Sequence, residues 1–137
     1  MTILVTRPEP DNETTATALR AKGHEVLLSP ILRFETVVFE VDPDVRYGAV
    51  VATSANALRA LAGHAAAGLL TALPLFAVGR HTADVARQAG FQDVTAAEGD
   101  AASLRDLLTK GNRAKGLAKT KPLLYLAGAD LSHDLAV

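Results

Sequence analysis

The chain has 137 residues, of which 49% are hydrophobic and 21% charged, and its formal net charge is −1. This length is enough for one ordinary domain and too short for two complete ones. The near-neutral charge argues against a nucleic-acid binder, which usually carries a basic face. The chain has no cysteine, which excludes disulfides, thiolate metal sites and a cysteine nucleophile.

The amino-terminal sequence MTILVTRPEPDNET lacks the basic segment and the long apolar run of a signal peptide. Nowhere does the sequence approach the ~20 consecutive apolar residues that a transmembrane helix needs. We therefore expect a cytoplasmic protein that does not bind membranes.

The first predicted elements are a strand, a helix and a second strand. Residues 3–6 and 25–29 are short apolar runs, and each predicts a strand. The helix between them is expected to begin near Pro10, because proline is tolerated in a first helical turn. It is expected to end at Gly23. Residues 31–44 have no helical period and end in a turn-forming Asp-Pro-Asp, so we interpret them as a crossing between two lobes.

Strands and helices then alternate to the end of the chain. Residues 49–53 (AVVAT) form a continuous apolar run, which is typical of a strand buried on both faces of a parallel sheet. Residues 55–67 have apolar side chains at helical spacing and predict one helix. The other predicted elements are strands at 75–78, 93–95 and 123–126, and helices at 81–89, from Asp100 to about 110, and from Asp130 onward. The pattern predicts an α/β fold, with a parallel sheet flanked by helices.

Two features suggest that part of the fold is missing. Two strands and one helix at the start of the chain cannot bury both faces of a sheet. The last helix stops after about two turns, and helices of that length rarely stand alone. We therefore expect a truncated chain of marginal stability, with exposed apolar surface on the first βαβ segment.

A basic segment, Lys110–Lys121 (KGNRAKGLAKTK), contains five basic residues and no acidic one. A solvated loop is the favoured interpretation. A docking patch for an acidic ligand is the alternative.

Candidate binding residues lie at the turns that lead from a strand into a helix. In open α/β sheets, ligands bind at the carboxyl ends of the strands. A helix start there presents unpaired N–H groups and a positive dipole end, which favour an anion. The turns of this kind are Thr6-Arg7-Pro8, Thr53-Ser54-Ala55-Asn56, Gly79-Arg80-His81-Thr82 and Ala127-Gly128-Ala129-Asp130.

Each of these residues also has a purely structural explanation. Thr53 and Ser54 are suited to capping a helix, and Gly79 suits a tight turn. Arginines at positions such as 7 and 80 are more often surface residues without a specific role than ligand contacts, and this also applies to Arg7 and Arg80. No phosphate-binding P-loop motif is present, and the histidines lack the spacing of metal ligands, so we predict neither a cofactor nor a metal site. Tyr125 lies inside an apolar strand and is expected in the core.

These turns lie in motifs that resemble the uroporphyrinogen-III synthase family. ILVTRPEP and AKGHEVLLSPIL resemble the opening of the family's sequences. VVATSANALRAL resembles its T-S-x-N-A-type turn, and FAVGRHTADVARQAGF its V-G-x-x-T-A helix and closing glycine. AAEGDAASLRDLL and LLYLAGAD follow in the family's order, so the resemblance spans the whole chain.

The resemblance implies two α/β lobes of flavodoxin-like type, joined by a two-stranded crossing with the substrate between them. Residues 1–33 would open the first lobe, 34–44 would be the outgoing crossing, and 45–137 would form the second lobe without its last strand. The implied reaction closes hydroxymethylbilane into uroporphyrinogen III, in porphyrin biosynthesis, as a lyase that needs no cofactor or metal. The full-length protein would be a monomer that binds no nucleic acid.

The resemblance also implies particular substrate contacts. These are Thr6, Arg7, Ser54, Ala55, Asn56, Gly79, Arg80 and Thr82. The family's general-acid tyrosine has no counterpart here, so no catalytic residue is assigned and the activity of this chain alone is uncertain. The alternatives are a non-catalytic α/β module that binds an anionic small molecule and a flavodoxin-like regulatory domain without a ligand.

Overall fold

The computed structural model describes residues 1–114 and 121–128. The chain forms two compact units, Met1–Thr36 and Val37–Val137. The boundary between them falls inside the segment that the sequence suggests as a crossing. The assignment of these units as lobes joined by a two-stranded crossing stays a prediction.

The first unit is the predicted βαβ segment. It contains strand β1 (Thr2–Val5), helix α1 (Asp11–Arg20) and strand β2 (Glu25–Leu28). The strands are parallel, with Thr2 opposite Glu25 and Val5 opposite Leu28. Pro10 is the residue that precedes the helix, and Gly23 has a φ of 85° in the turn after it. The helix therefore begins and ends where proline and glycine predict.

Apolar side chains are exposed on this first unit, as expected from the sequence. Leu4 and Leu27 lie opposite each other on the paired strands, and they are 56% and 58% exposed. Ile31, Leu32 and Phe34, in the segment after β2, are also exposed. Within residues 1–114 and 121–128, one face of the two-stranded sheet therefore remains largely uncovered.

The second unit contains a four-stranded parallel sheet with helices between its strands. The strands are β3 (Ala49–Ala52), β4 (Leu75–Ala77), β5 (Val94–Ala96) and β6 (Leu123–Leu126), in the order β5-β4-β3-β6. The helices are α2 (Ala55–Arg59), α3 (Ala67–Thr71), α4 (Arg80–Gln88) and α5 (Ala101–Ala114). The predicted class, a parallel α/β sheet flanked by helices, is confirmed.

Two apolar clusters bury the two faces of this sheet. Alternate residues of β3 enter different clusters: Val50 and Ala52 the first, and Ala49 and Val51 the second. The first cluster includes residues of α2, α3 and α4, and the second includes Leu104 and Leu108 of α5. Since every residue of β3 is buried, the prediction of a strand covered on both faces is confirmed.

The prediction of one continuous helix over residues 55–67 is wrong. The structure has two short helices, α2 and α3, separated by a turn. Gly63 has a φ of 77° in that turn, a conformation that interrupts an α-helix and that glycine adopts without strain. The Nδ1 atom of His64 then accepts a hydrogen bond from the Ala66 N–H at 3.1 Å, which helps to start α3.

Two predictions lie partly or wholly outside the described residues. The helix predicted from Asp130 is outside them, and so is half of the basic segment Lys110–Lys121. Helix α5 reaches Ala114, beyond the predicted end near residue 110.

The His64 side chain also holds part of the segment before β3. Its ring stacks on Phe39, with centroids 4.1 Å apart and planes 5° from parallel. Its Nε2 atom lies 2.9 Å from the Phe39 carbonyl oxygen. Because Nδ1 accepts from Ala66, Nε2 carries the proton and donates to that carbonyl. Phe39 and Val41 pack against the first apolar cluster, so one histidine connects this segment to the turn between α2 and α3.

We expect His64→Ala to lower the free energy of unfolding by about 2 kcal/mol, because it removes two hydrogen bonds and a ring stack. Chemical denaturation would measure the change. Phe39→Leu should cost less, since the carbonyl of residue 39 remains. Gln88→Ala, at an exposed position of α4, is the control. Equal stability of His64→Ala and Gln88→Ala would contradict this role.

Candidate functional site

The carboxyl edge of the four-stranded sheet brings two predicted turns together. Strands β3 and β4 are parallel neighbours, and Ala52 pairs with Ala77 at their carboxyl ends. The turn Thr53–Asn56 follows β3, and the turn Gly79–Thr82 follows β4. The predicted contacts Ser54, Ala55, Asn56, Gly79, Arg80 and Thr82 therefore lie along one edge.

The polar side chains of the turn after β3 form hydrogen bonds with groups of helix α2. Ser54 has an extended backbone, and its hydroxyl accepts a hydrogen bond from the Asn56 N–H at 3.2 Å. The Asn56 side-chain oxygen accepts one from the Arg59 guanidinium at 2.6 Å. Ala55 is buried. These contacts stabilise the start of a five-residue helix, which is the structural explanation considered for Ser54.

The turn after β4 is different, because helix α4 begins at a glycine that has no capping side chain. Gly79 is extended and makes no side-chain cap. The first helical hydrogen bond runs from the Ala83 N–H to the Gly79 carbonyl at 3.0 Å. The N–H groups of Arg80 and Thr82 precede that bond, and residues 1–114 and 121–128 supply no acceptor for either. Such groups at a helix start favour an anion.

Thr82 is the most unusual polar residue at this edge. Its exposure is 6%, and its hydroxyl has no hydrogen-bond partner among the described residues. Buried polar groups are nearly always hydrogen-bonded, so an unsatisfied one requires an explanation. The Cα–Cβ bond of a helical residue tilts toward the amino terminus of its helix. The Thr82 side chain therefore leans toward the open start of α4.

The turns after β4 and β5 touch through two glycines. A Cβ atom on Gly79 would lie 3.2 Å from the Cα of Gly99. The Gly99 N–H donates to the Val78 carbonyl at 2.8 Å, and Gly99 has a φ of 113°. A side chain at position 79 would therefore crowd the backbone of Gly99, and the backbone conformation at position 99 favours glycine.

Asp100 starts helix α5, as the sequence predicts. Its carboxylate accepts a hydrogen bond from the Ser103 N–H at 2.7 Å. The Ser103 hydroxyl donates to the Asp100 carbonyl and accepts from the Glu98 N–H. The backbone hydrogen bond from Ser103, followed by that from its side chain, lowers the pKa of Asp100 below its ordinary value of 3.8.

In the first unit, the predicted contacts Thr6 and Arg7 follow β1. The Arg7 guanidinium donates to the Thr15 hydroxyl at 2.9 Å and lies 3.7 Å from the Asp11 carboxylate. Both partners belong to α1, so the guanidinium is already held by its own unit. Thr6 is exposed, and its carbonyl accepts from the Ile31 N–H.

Sequence reasoning missed one polar contact of Tyr125. The ring packs against the second apolar cluster, as expected for a core residue. Its hydroxyl, however, lies 2.9 Å from the Thr53 hydroxyl at the end of β3. The sequence carries no local signal for this pair, because 72 positions separate its members.

Asn12 is a second residue whose contacts were not predicted from the sequence. It lies in the first turn of α1 and is 1% exposed. The Asn12 side-chain oxygen accepts from the Glu13 N–H at 2.8 Å, and the Asn12 N–H donates to the Pro8 carbonyl. An asparagine near a helix start is the signal that could have indicated this role.

Among residues 1–114 and 121–128, no group of histidine, aspartate and glutamate side chains is arranged to hold a metal ion. No helix in that part of the chain is both long and apolar enough to span a bilayer. The fourth predicted turn, Ala127–Asp130, lies partly outside the described residues.

A protein-family comparison identifies the chain. The model for uroporphyrinogen-III synthase HemD matches residues 13–137. The chain belongs to the uroporphyrinogen-III synthase family. This confirms the resemblance found in the sequence, and membership of the family implies a small tetrapyrrole substrate. The match includes the turns after β3 and β4, whereas Thr6 and Arg7 precede it. A comparison with curated proteins gave no match.

We expect Gly79→Ala to destabilise this uroporphyrinogen-III synthase homologue by about 1–3 kcal/mol, because the new methyl group must displace the backbone of Gly99. Gly68→Ala is the matched control, since a Cβ there meets nothing within 4 Å. That control, in helix α3, should be neutral or slightly stabilising. Thermal unfolding would compare the two variants, and equal midpoints would argue against the glycine contact.

The Asp100 contact predicts a dependence of stability on pH. Because the folded-state pKa is lowered, the contribution is fully present above the unfolded pKa and is lost as pH falls through the folded value. Asp100→Asn keeps an acceptor oxygen but does not titrate in this range. The stability advantage of the native chain over this variant should therefore shrink under acid conditions.

The free energy of unfolding, measured for both chains across the acid range, would test this. Asp106→Asn, at an exposed position of the same helix, is the control for loss of an aspartate that makes no cap. A constant difference between native chain and Asp100→Asn at every pH would contradict the assignment.

Proposed function

We propose that this chain acts in the closure of hydroxymethylbilane to uroporphyrinogen III. In that reaction the substrate loses its terminal hydroxyl group as water and forms a new carbon–carbon bond that closes the ring, with ring D inverted. We further propose that the carboxyl edge of the second unit's sheet binds the carboxylates of the tetrapyrrole.

The observation that carries this proposal is the buried hydroxyl of Thr82 beside the open start of α4. A carboxylate at that start would accept hydrogen bonds from the Arg80 and Thr82 N–H groups, which have no acceptor in the described part of the chain. It would also satisfy the Thr82 hydroxyl. Hydrogen bonds to a charged group contribute about 1.5–3 kcal/mol each.

The surrounding residues fit the approach of an anion. The exposed Arg80 side chain brings a positive charge to the turn after β4, which shares its edge with the start of α2. The carboxylate of Asp100, in the next turn, is occupied by the hydrogen bond that it accepts from the Ser103 N–H as the cap of α5.

The other proposed substrate contacts would require changes in contacts that already exist. Ser54 and Asn56 would need to exchange their bonds within α2 for bonds to a ligand. Arg7 would have to leave Thr15. Ala55 and Thr6 can contribute only through their backbone or by a short side chain. We assign no general acid, and the chemical contribution proposed here is to hold a flexible polycarboxylate in a folded pose.

A substitution at Thr82 tests the proposed carboxylate site. Thr82→Val keeps the shape of the side chain and removes the hydroxyl, so we expect affinity for uroporphyrinogen III to fall about tenfold or more. Thr82→Ser keeps the hydroxyl and should bind nearly as well as the native chain. Anaerobic titration of the full chain would give both dissociation constants.

The same titration distinguishes the proposal from its alternatives. Equal weak binding of uroporphyrinogen III and of unrelated polyanions by the native chain would overturn a specific site. Incubation with hydroxymethylbilane, followed by separation of the porphyrin isomers, would test the reaction. Specific binding without formation of the III isomer would favour the non-catalytic binding module over the enzyme.

A further inference from the structure

The strand order of the second unit defines a topological switch point. Strands β4 and β5 follow β3 successively on one side, and β6 returns to the other side of β3. The connections also use opposite faces, since α4 belongs to the first apolar cluster and α5 to the second. In parallel α/β sheets, a crevice opens where the strand order reverses, at the carboxyl ends of the strands. Here that position lies between β3 and β6.

The Thr53–Tyr125 hydroxyl pair lies at this switch point. Thr53 is the residue after β3, and Tyr125 is on β6 one position before its end. In the parallel register, Ala52 pairs with Leu126 and Val51 with Tyr125. The Tyr125 ring packs on the α5 side of the sheet, and its hydroxyl reaches Thr53 at 2.9 Å. Both residues are half-buried.

The Thr53–Tyr125 pair has one more hydroxyl proton than its hydrogen bond uses. Two hydroxyls carry two protons, and the hydrogen bond between them uses one. Neither hydroxyl has a further hydrogen bond within residues 1–114 and 121–128. The second proton is therefore available to an acceptor at the carboxyl edge. If Tyr125 donates to Thr53, the Thr53 hydroxyl is polarised toward that acceptor.

We propose that Thr53 donates this second proton to a carboxylate of the tetrapyrrole, and that Tyr125 is a positioning residue for Thr53. This inference rests on the proposed function and adds a second contact to the one at Thr82. It places a carboxylate contact at the switch point, on the opposite side of the β3 end from the β4 turn. A ligand with several carboxylates can use both contacts, whereas a small monocarboxylate can use one.

Substitutions that remove single hydroxyls test the pair. With the full chain and uroporphyrinogen III, we expect Thr53→Val to weaken binding about tenfold. Tyr125→Phe should weaken it severalfold, because the Thr53 hydroxyl then loses its orientation. The double variant should bind no more weakly than Thr53→Val alone, since Tyr125 acts through Thr53. Thr53→Ser should retain nearly native affinity.

Two matched controls separate this role from general effects. Thr95→Val removes a hydroxyl from the middle of β5, an edge strand of the same sheet, and Tyr47→Phe removes one near the opposite end of β3. Neither should change the dissociation constant. The thermal unfolding midpoints of the same variants report whether the hydrogen bond serves only to stabilise the pairing of β6 with β3.

Each outcome has a definite meaning. A lower midpoint with unchanged affinity in both Thr53→Val and Tyr125→Phe would overturn the inference in favour of a structural contact. Independent, additive losses of affinity would overturn the positioning role. If Thr82→Val weakens binding while these variants do not, the proposed function stands and this inference fails. If the native chain does not distinguish uroporphyrinogen III from other polyanions, the proposed function itself fails.

Discussion

Strand β3 is buried on both faces, and the second unit depends on that burial. Its four residues alternate between two apolar clusters, so the strand holds α2, α3 and α4 against one face and α5 against the other. A shift of one residue in register would exchange the two sets of side chains. The same constraint determines where the strand ends, and so where Thr53 and Ser54 meet the turn after β4. The polar residues at the carboxyl edge of the sheet are therefore positioned by an apolar strand to which none of them belongs.

Helix starts at this edge differ in how their N–H groups are satisfied. Ser54 caps α2 and Asp100 caps α5, each through a side-chain oxygen. Helix α4 begins at Gly79 and has no such oxygen. The contrast between neighbouring helices makes the open start of α4 more informative than a helix terminus considered alone. A positive dipole end is common to all three helices, whereas α4 is the one of the three that has no side-chain cap in the described part of the chain.

Local sequence signals predicted much of this fold. The run AVVAT indicated a doubly buried strand, and Asp100 indicated a helix start, because each depends on a few neighbouring residues. The continuous helix over 55–67 failed because apolar spacing outweighed Gly63 in the prediction, while the chain uses that glycine to turn. The burial of Thr82 and the bond between Tyr125 and Thr53 depend on packing and strand register between distant segments. Periodicity within a window carries no information about either. The hydrogen bond between Arg7 and α1 could not be predicted either, because it depends on where the Thr15 side chain lies in the folded chain.

The apolar pair Leu4 and Leu27 affects how the protein behaves in solution. Two exposed leucines side by side on a two-stranded sheet offer other chains a surface to bury. Strands with unpaired edges and an apolar face are templates for self-association. We therefore expect the first unit to favour self-association of this chain at high concentration. Conditions that weaken apolar association, such as low salt and low temperature, favour its handling as single molecules.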